Sequence, residues 1–408
     1  GNCRAVTSKL SVVFIVMTVV IDAMGIGLII PVTPQLILDL LPTVSLGQAA
    51  VWGGVMATLF ALMQFLFGPL LGSLSDQYGR KPVLLIMLFI MAFGYFMMAL
   101  AASIWVLLLG RIIGGIGSAT QATAAAYIAD VSKPEDKAGN FGLISAGFGI
   151  GFVLGPLLGG ALVEFGTRAP FYAAGLLAVA NTAMGALVLQ ESRATKGGTD
   201  INWERANPLS TFRHIGQFKN LNILLWVHFY YFIAVAVYPA VWVFYTVERF
   251  DWSPGLIGLS LAVFGSAMAL VQGMLVRVAV RHLGDRRTVF LGLIIQVPLL
   301  ISIAMINDGT LLLAMTPLAA LGSIGTPALQ AIMSRAVAPD SQGALQGILV
   351  SLSAVATMLA LLGMTQIFAY FSSRAALFYL PGAPFLLSAL LMLLALGLFS
   401  RTRMPVTA

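Results

Sequence analysis

An acidic residue decides how this chain must fold. Asp22 stands in the stretch IDAMGIGLIIP, residues 21–31, inside an apolar run that begins at Leu10. The run is long enough to cross the roughly 30 Å hydrocarbon layer of a membrane as a helix. An ionised Asp at the centre of such a helix costs about 3 kcal/mol, so an acid there indicates a functional group that has a partner.

The composition indicates a membrane protein along the whole chain. Of the 408 residues, 59% are hydrophobic and only 9% are charged, which is far from the composition of soluble domains. The apolar windows are continuous, without the alternation that a membrane β-barrel requires. We therefore predict an all-α integral membrane protein with twelve transmembrane helices in two six-helix pseudo-repeats, near residues 9–31, 50–71, 82–102, 104–129, 139–163, 169–190, 221–247, 255–280, 288–306, 309–333, 343–370 and 375–399.

The positions of the charged residues predict the topology. A net charge of +7 would suit a nucleic-acid partner, but most Lys and Arg residues lie in one set of alternate loops. Arg168, Arg249 and Arg374 lie in the opposite set, and Arg111 lies inside a span. Because the more basic loops face the cytoplasm, we expect both termini in the cytoplasm and no nucleic-acid partner.

A polar interval divides the chain in two. Residues 191–220 form the longest charged stretch between spans. We predict an N-terminal six-helix bundle over residues 1–190, a cytoplasmic linker over 191–220 and a C-terminal six-helix bundle over 221–408. Within the linker, residues 207–215 suit either a short amphipathic helix on the membrane surface or a plain tether. Parallel six-helix repeats are a common transporter design.

A glycine-rich charged loop joins the second and third spans. It reads GSLSDQYGRKPV and contains Gly72, Asp76, Gly79, Arg80 and Lys81. Glycines permit a tight turn, and the charged side chains can lock helix ends in one conformation and release them in another. A basic loop that only sets topology is the alternative. The pattern resembles the signature loop of the major facilitator superfamily, which implies the major facilitator fold.

Asp22 and Arg111 are predicted to lie at one depth. The first span leaves the membrane near Pro31, which puts Asp22 roughly 13 Å below that face at 1.5 Å per residue. The fourth span enters near Ser103, which puts Arg111 roughly 12 Å below the same face. Opposite charges at one depth stabilise each other, and protonation of the acid would free the arginine. We predict a proton-coupled switch, with a static salt bridge as the alternative.

Polar side chains in the spans are candidates for a substrate cavity. Helical steps from Arg111 reach small and polar residues on one face, which leaves room for a neighbouring helix or for a cavity. For each candidate, a packing role or a hydrogen bond to a neighbouring helix is the alternative. The candidates are Gln64, Ser118, Gln121, Tyr231, Trp242, Gln296 and Gln330.

The fifth span carries a glycine-proline pattern. Gly151, Gly155, Pro156, Gly159 and Gly160 give Gly-xxx-Gly-Pro-xx-Gly-Gly. Small-xxx-small spacing lets helix backbones approach closely, and proline bends a helix. Tight packing alone explains the spacing, and the full pattern also resembles the antiporter motif of drug exporters in the superfamily.

The resemblance narrows to the tetracycline/proton antiporters and closely related drug exporters. It rests on residues 22–32, 241–243, 248–250, 326–330 and 342–347 and covers nearly the whole chain. It implies an antiporter that exports a small amphipathic drug, often as a metal chelate, against proton entry. The proton gradient is then the driving force, and no cofactor is expected. Asp22 and Arg111 match the family's intramembrane acid and fourth-helix arginine.

Two positions depart from that family. Its tetracycline exporters typically carry an acid in the ninth span, where this chain has Gln296, and a His in the eighth, where it has Met268. An amide cannot bind or release a proton, so one element of coupling or cation recognition is missing. Tetracycline-like compounds are the first expectation for the substrate. A different drug or metabolite, or import of a nutrient on the same fold, is the alternative.

Other functional classes lack their residues in this sequence. Cys3 is the only cysteine, so no intramolecular disulfide or thiol metal cluster can form, and we expect no metal site. The sequence has no His-Glu-x-x-His helix and no P-loop, which disfavours an enzyme. It has no repeated pore loop or ring of acids, which disfavours a channel. We expect a monomer in the bacterial inner membrane whose partners are the bilayer, protons and a small-molecule drug.

Overall fold

The computed structural model describes residues 2–132, 137–192 and 203–403, which are helical with short connections and contain no β-strand. Helices suit apolar segments because each helix satisfies its own backbone hydrogen bonds without water. The helices of the first half are α1 (Asn2–Leu28), α2 (Thr33–Leu40), α3 (Leu46–Tyr78), α4 (Arg80–Ala99), α5 (Ile104–Gly117), α6 (Thr120–Val131), α7 (Lys137–Leu162) and α8 (Ala169–Val188).

The linker and the second half continue the helical pattern. A four-residue helix, α9 (Trp203–Ala206), precedes a 3-10 helix over Pro208–Leu221. The helices that follow are α10 (Asn222–Val235), α11 (Val237–Phe250), α12 (Pro254–Leu270), α13 (Val276–Met305), α14 (Gly309–Ala319), α15 (Gly325–Arg335), α16 (Gln342–Phe371) and α17 (Ala383–Arg401).

Within the described ranges, ten helical segments are long and apolar enough to cross a membrane. One of them, Pro254–Met305, has 52 residues and contains the predicted eighth and ninth spans. The predicted fourth span is divided between α5 and α6, so neither part reaches the length of a full span. The twelve predicted spans therefore all correspond to helices, and the prediction of an all-α membrane protein is confirmed.

Two glycines turn the chain between spans. Gly79 separates α3 from α4 with φ 105° and ψ 152°, and Gly284 turns the chain inside α13 with φ 75° and ψ 168°. Residues with a Cβ rarely adopt this left-handed region. Both loops therefore depend on glycine at these positions.

The fourth span is broken, although the sequence predicts one continuous helix over residues 104–129. Ser118 ends α5, and its hydroxyl donates to the carbonyl of Gly115 at 2.9 Å. Ala119 has φ −73° and ψ 28°, and a new helix begins at Thr120. Gly114, Gly115 and Gly117 weaken the helix before the break, and a serine hydroxyl that bonds its own backbone bends it further.

Contacts divide the chain into two compact units. The first contains Gly1–Pro42, Leu59–Pro208 and Pro254–Ala262, and the second contains Thr43–Thr58, Leu209–Ser253 and Val263–Ala408. Close backbone packing explains the exchanged segments. In the second unit, a Cβ at Gly54 would lie 2.5 Å from the carbonyl oxygen of Leu361. The predicted bundle boundaries, 1–190 and 221–408, stay predictions.

Candidate functional site

Asp22 lies on α1 in the interior of the first unit. Its exposed fraction is 8%, although it is an acid in an apolar segment. One carboxyl oxygen, Oδ2, accepts a hydrogen bond from the Thr120 hydroxyl at 2.5 Å. The other oxygen, Oδ1, is buried and has no hydrogen-bond partner. The structure thus buries half of a carboxyl group without a partner, which is costly if the group is charged.

Arg111 lies on α5 in the same unit. Its guanidinium carbon is 4.2 Å from the centre of the Phe60 ring on α3, a cation–π contact. Its Nε is buried and has no hydrogen-bond partner. The aromatic face therefore supplies part of the stabilisation that a carboxylate would otherwise give.

The direct ion pair between Asp22 and Arg111 that the sequence suggests is absent from the described residues. Because the chain leaves the helix at Ser118, Thr120 begins a new helix and its hydroxyl reaches the acid. Tyr95 on α4 is buried and interacts electrostatically with both Asp22 and Arg111. The two charged groups therefore share a polar neighbourhood in which each has a neutral side chain against it.

This arrangement can hold a proton. A buried carboxyl group is stable when it is protonated, or when a cation lies against its charged form. Asp22 has a hydroxyl on one oxygen and an oxygen without a partner on the other, and Tyr95 links its surroundings to those of Arg111. Gain and loss of a proton at Asp22 would therefore change which groups stabilise the site.

The glycine-proline pattern of the fifth span positions the helix that carries Asp22. Gly151, Gly155 and Gly159 on α7 face α1, and a Cβ at Gly155 would lie 2.6 Å from the carbonyl oxygen of Met24. Cβ atoms at Gly151 and Gly159 would collide with the carbonyl oxygens of Val20 and Leu28. Helix backbones touch along this stripe, as the small-residue spacing predicts.

The remaining members of the pattern contact other parts of the first unit. A Cβ at Gly160 would lie 2.6 Å from the carbonyl oxygen of Pro254, at the start of α12. Pro156 packs against Gly27 of α1, where an added Cβ would lie 2.6 Å from the proline ring. The pattern therefore joins α7 to two helices, and its role in antiport stays a prediction.

The charged loop after α3 forms a network around Arg80. The guanidinium pairs with Asp76 at 2.6 Å and with Asp130 of α6 at 3.1 Å, and it donates to the Ser75 hydroxyl at 2.6 Å. Lys81 donates to the carbonyl of Ala186 at 3.0 Å. Such a network can lock the ends of α3, α4 and α6 in one arrangement. Gly72 has open space around it and provides the carbonyl that Ser75 bonds.

Glu191 completes this loop, although the sequence assigns it only to the linker. Its two carboxylate oxygens accept from the backbone N–H groups of Arg80 and Lys81 at 2.9 and 3.1 Å. These are the first N–H groups of α4, which have no partner within the helix. A Cβ at Gly79 would lie 2.5 Å from a Glu191 oxygen. Glycine is therefore required at this turn by the position of Glu191 as well as by the backbone angles.

The cavity candidates of the first unit have different surroundings. Ser118 is buried and bonds its own helix. Gln64 is partly buried on α3. Gln121 belongs to α6, but its side chain lies outside the described residues. The small residues beside Arg111 make room for helices, because a Cβ at Gly115 would lie 2.7 Å from the carbonyl oxygen of Phe60.

In the second unit, Gln296 and Tyr231 are buried in one region. Gln296 on α13 is 2% exposed, its Oε1 has no hydrogen-bond partner, and its side chain fills the place of a Cβ at Gly322. Tyr231 on α10 lines a cavity of about 10 Å³ with Gly322 and Thr326. A space of that size is at the lower limit for a single water molecule.

The last candidates lie in packed surroundings. Trp242 is 5% exposed and contacts Tyr238, Trp252 and Phe385, with ring centres 6.2 to 6.3 Å apart. Gln330 is partly buried on α15. Met268, the departure predicted in the eighth span, packs against an apolar cluster that includes Val271 and Ile324. A substrate role for these residues stays a prediction.

Four neighbours of the charged groups were not identified from the sequence. They are Phe60, Tyr95, Asp130 and Thr120, each on a different helix from the residue that it contacts. A tyrosine in a span is a weak signal, and nothing in the local sequence marks Thr120. Among the described residues, no group of three or more His, Cys, Asp or Glu could hold a metal ion.

Comparisons with known proteins give one consistent result. The sequence profile described as Major Facilitator Superfamily matches residues 15–249 and 224–406. The class C tetracycline resistance protein of Escherichia coli is 40% identical over 363 residues, which cover 89% of this chain and 90% of that protein. The class G protein of Vibrio anguillarum is 38% identical, over 88% of this chain and 90% of its own length.

Solved structures agree on the fold. The crystal structure of the human organic anion transporter MFSD10 (TETRAN) superposes with a TM-score of 0.68 over 96% of this chain and 99% of that one. The two sequences are 24% identical, so this likeness concerns the fold alone.

Proposed function

The chain belongs to the major facilitator superfamily and, within it, to the family of the tetracycline resistance proteins, and from this premise we propose that it is a proton-coupled antiporter that exports small amphipathic drugs. It is a multi-pass membrane transporter and not an enzyme. Its partners are therefore the lipid bilayer and a small-molecule substrate.

The proposal of proton coupling rests on the burial of Asp22. A carboxyl group in a membrane span normally serves a proton or ion pathway, because its burial is costly. Here the group is buried, one of its oxygens has no partner, and Arg111 stands in the same polar region. Proton entry then protonates Asp22 and favours one access state, and drug occupancy favours the other.

Tetracycline-like compounds are the substrates that we propose first. Six tetracycline resistance proteins, of classes B, C, D, E, G and H, are 34% to 40% identical to this chain over 82% to 89% of its length. Drugs of this class can arrive as metal chelates. The neutral Gln296 in the ninth span is the observation that favours a different drug as the second candidate.

We place the protein in the bacterial inner membrane with both termini in the cytoplasm. The support is the distribution of Lys and Arg among the loops, together with the bacterial source of the tetracycline resistance proteins named above. The transport unit that we propose is a monomer, since the chain carries two pseudo-repeats of its own.

Transport into inside-out vesicles tests the coupling. An imposed pH gradient should drive the wild-type protein to accumulate labelled tetracycline, and the Asp22→Asn variant should lose this gradient dependence. Asp39→Asn is the matched control, because Asp39 is an exposed acid on the neighbouring helix α2. Asp22→Asn vesicles that match wild-type accumulation would remove Asp22 from the mechanism.

A substrate screen separates the two candidate functions. Efflux of tetracyclines, cationic dyes and chloramphenicol-like compounds would be measured in cells that express the chain. Export of tetracyclines supports the first candidate. Export of other compounds with no effect on any tetracycline supports the second and links the change in specificity to Gln296.

A further inference from the structure

An apolar groove of about 160 Å³ lies where the linker meets α10 in the second unit. One wall comes from the 3-10 helix over Pro208–Leu221, and the other walls come from α10 and α16. The lining residues are Ile215, Asn222, Leu225, Trp226, Phe229 and Leu352. Trp226 is 48% exposed, so the groove opens to the surroundings of the protein.

The linker helix holds a basic surface beside this groove. Phe218 and Leu221 are buried and fix the helix to the unit, and Thr211 lies against Gly347 of α16. Arg213 and Lys219 are exposed in the same linker segment, on either side of a kink at Phe218. The sequence has no acidic residue from Pro208 to Val247, so nothing in that stretch neutralises these cations.

The position of the groove relative to the membrane follows from the span that contains it. The helical segment Pro208–Phe250 is apolar enough to cross a membrane, and the groove lies near its first end. Tryptophan is common at the level of the lipid headgroups. The groove therefore adjoins the boundary between acyl chains and headgroups, with its apolar walls on α10 and its cations on the linker.

We propose that this groove binds one anionic phospholipid. An acyl chain lies against Trp226, Phe229 and Leu352, and the phosphate headgroup lies at Arg213 and Lys219. A zwitterionic lipid matches the apolar walls but brings no net charge to the two cations, whereas an anionic lipid matches both. The inference depends on insertion of the chain in a membrane and not on the transport reaction.

Quenching of Trp226 fluorescence tests both the entry of an acyl chain into the groove and the selectivity for an anionic headgroup. The full chain would be reconstituted in phosphatidylcholine vesicles that contain either dibrominated phosphatidylglycerol or dibrominated phosphatidylcholine. The difference between wild type and Trp226→Phe isolates the emission of Trp226. The same difference for Trp105→Phe is the control, because Trp105 is 69% exposed on α5 of the first unit and does not line the groove.

We expect brominated phosphatidylglycerol to quench Trp226 at lower mole fractions than brominated phosphatidylcholine does, with no such preference at Trp105. Arg213→Gln and Lys219→Gln should each lower the preference about fivefold, since a cation near an anionic surface contributes about that factor. Arg277→Gln and Arg281→Gln change exposed cations on α13 by the same charge and should leave the preference unchanged.

Three results would overturn the proposal. Equal quenching by the two lipids would show a groove without headgroup selectivity. Absence of quenching by both would show that no acyl chain enters it. A response of Trp226 to an added amphipathic drug, with no response to either lipid, would identify a drug contact instead.

Discussion

Among the described residues, the two compact units differ in the charged groups of their interiors. The first unit holds a carboxyl group and a guanidinium group, Asp22 and Arg111, each against a neutral side chain. The second unit holds an amide, phenols and an imidazole, of which Gln296 and Tyr231 are the candidates for substrate contact. The imidazole is that of His228, whose Nε2 forms a hydrogen bond with the Ser353 hydroxyl at 2.8 Å. One fold thus holds a carboxyl and a guanidinium group at the candidate positions of one half, and an amide and a phenol at those of the other.

The loops after the second and eighth spans show a related contrast. Arg80 pairs with Asp130 at the end of α6, whereas Asp285 pairs with Arg335 at the end of α15. The carboxylate and the guanidinium have exchanged helices, and the ion pair is retained. Corresponding positions can therefore differ in charge while the contact between the helix ends stays the same. In the same way, the interiors of the two units can carry different side chains although their helices are arranged alike.

A charge placed in the interior of the second unit should have the largest effect. Gln296→Glu puts a carboxyl group beside Gly322 with no cation against it, and we expect the free energy of unfolding to fall by about 3 kcal/mol. Thermal unfolding in detergent measures this loss. Gln35→Glu makes the same change at an exposed site on α2 and should have little effect. Equal stability of both variants would show that the interior of the second unit accepts a carboxyl group, and would contradict the proposed difference between the two interiors.

Displacement of the helix that carries Asp22 should have the next largest effect. Gly159→Ala adds a methyl group where the carbonyl of Leu28 lies, and we expect a loss of about 2 kcal/mol in stability together with loss of coupled transport. Gly149→Ala, on the same helix, adds its methyl group to open space and should be neutral or stabilising. Tolerance of Gly159→Ala would mean that the stripe does not position α1.

Loss of the Thr120 hydroxyl should have a smaller effect. Thr120→Val keeps the shape but removes the donor to Asp22, which should cost about 1 kcal/mol and alter proton-driven transport. Thr182→Val is the control, because the Thr182 hydroxyl bonds only the backbone of its own helix at 2.7 Å. Unchanged transport in Thr120→Val would show that this hydrogen bond does not tune the proton site.

The smallest effect is expected at the edge of the second unit, where ionisable groups are found. Partial burial, the hydrogen bond to Glu248 at 3.0 Å and the charge of that residue raise the pKa of Tyr379 to about 12. Because this pKa lies above the ordinary value of about 10, the contact stabilises the fold below pH 10 and is lost as the pH rises through 12. Glu248→Gln should lower the pKa, as measured by ultraviolet titration against Tyr379→Phe.

The spans and the small-residue packing followed from local sequence. Continuous apolar windows predicted every spanning helix, and the spacing of Gly151, Gly155 and Gly159 predicted the close approach that they make to α1. Asp22 and Arg111 were identified because charges are rare in apolar runs. Apolar windows, glycine spacing and isolated charges each involve residues that are close in the sequence, so they can be recognised without the structure.

The partners of the charged groups did not follow from local sequence. Asp22 meets Thr120 across 98 positions, and Glu191 caps α4 from 111 positions beyond Arg80. The break at Ser118 depends on a balance between weak helix formers and packing, which a hydropathy window does not register. Asp22 and Arg111 form no direct ion pair in this structure, since matched depth does not fix which neighbour a side chain faces.

Proton movement driven by the drug gradient tests the central claim most directly. The protein would be reconstituted in sealed vesicles that contain a pH-sensitive dye, and a tetracycline gradient would be imposed without a pH gradient. The account predicts proton counterflow with wild type and with Asp39→Asn, and none with Asp22→Asn although the variant still binds the drug. Proton counterflow of wild-type size through Asp22→Asn would contradict the account, because the proton would then be carried elsewhere.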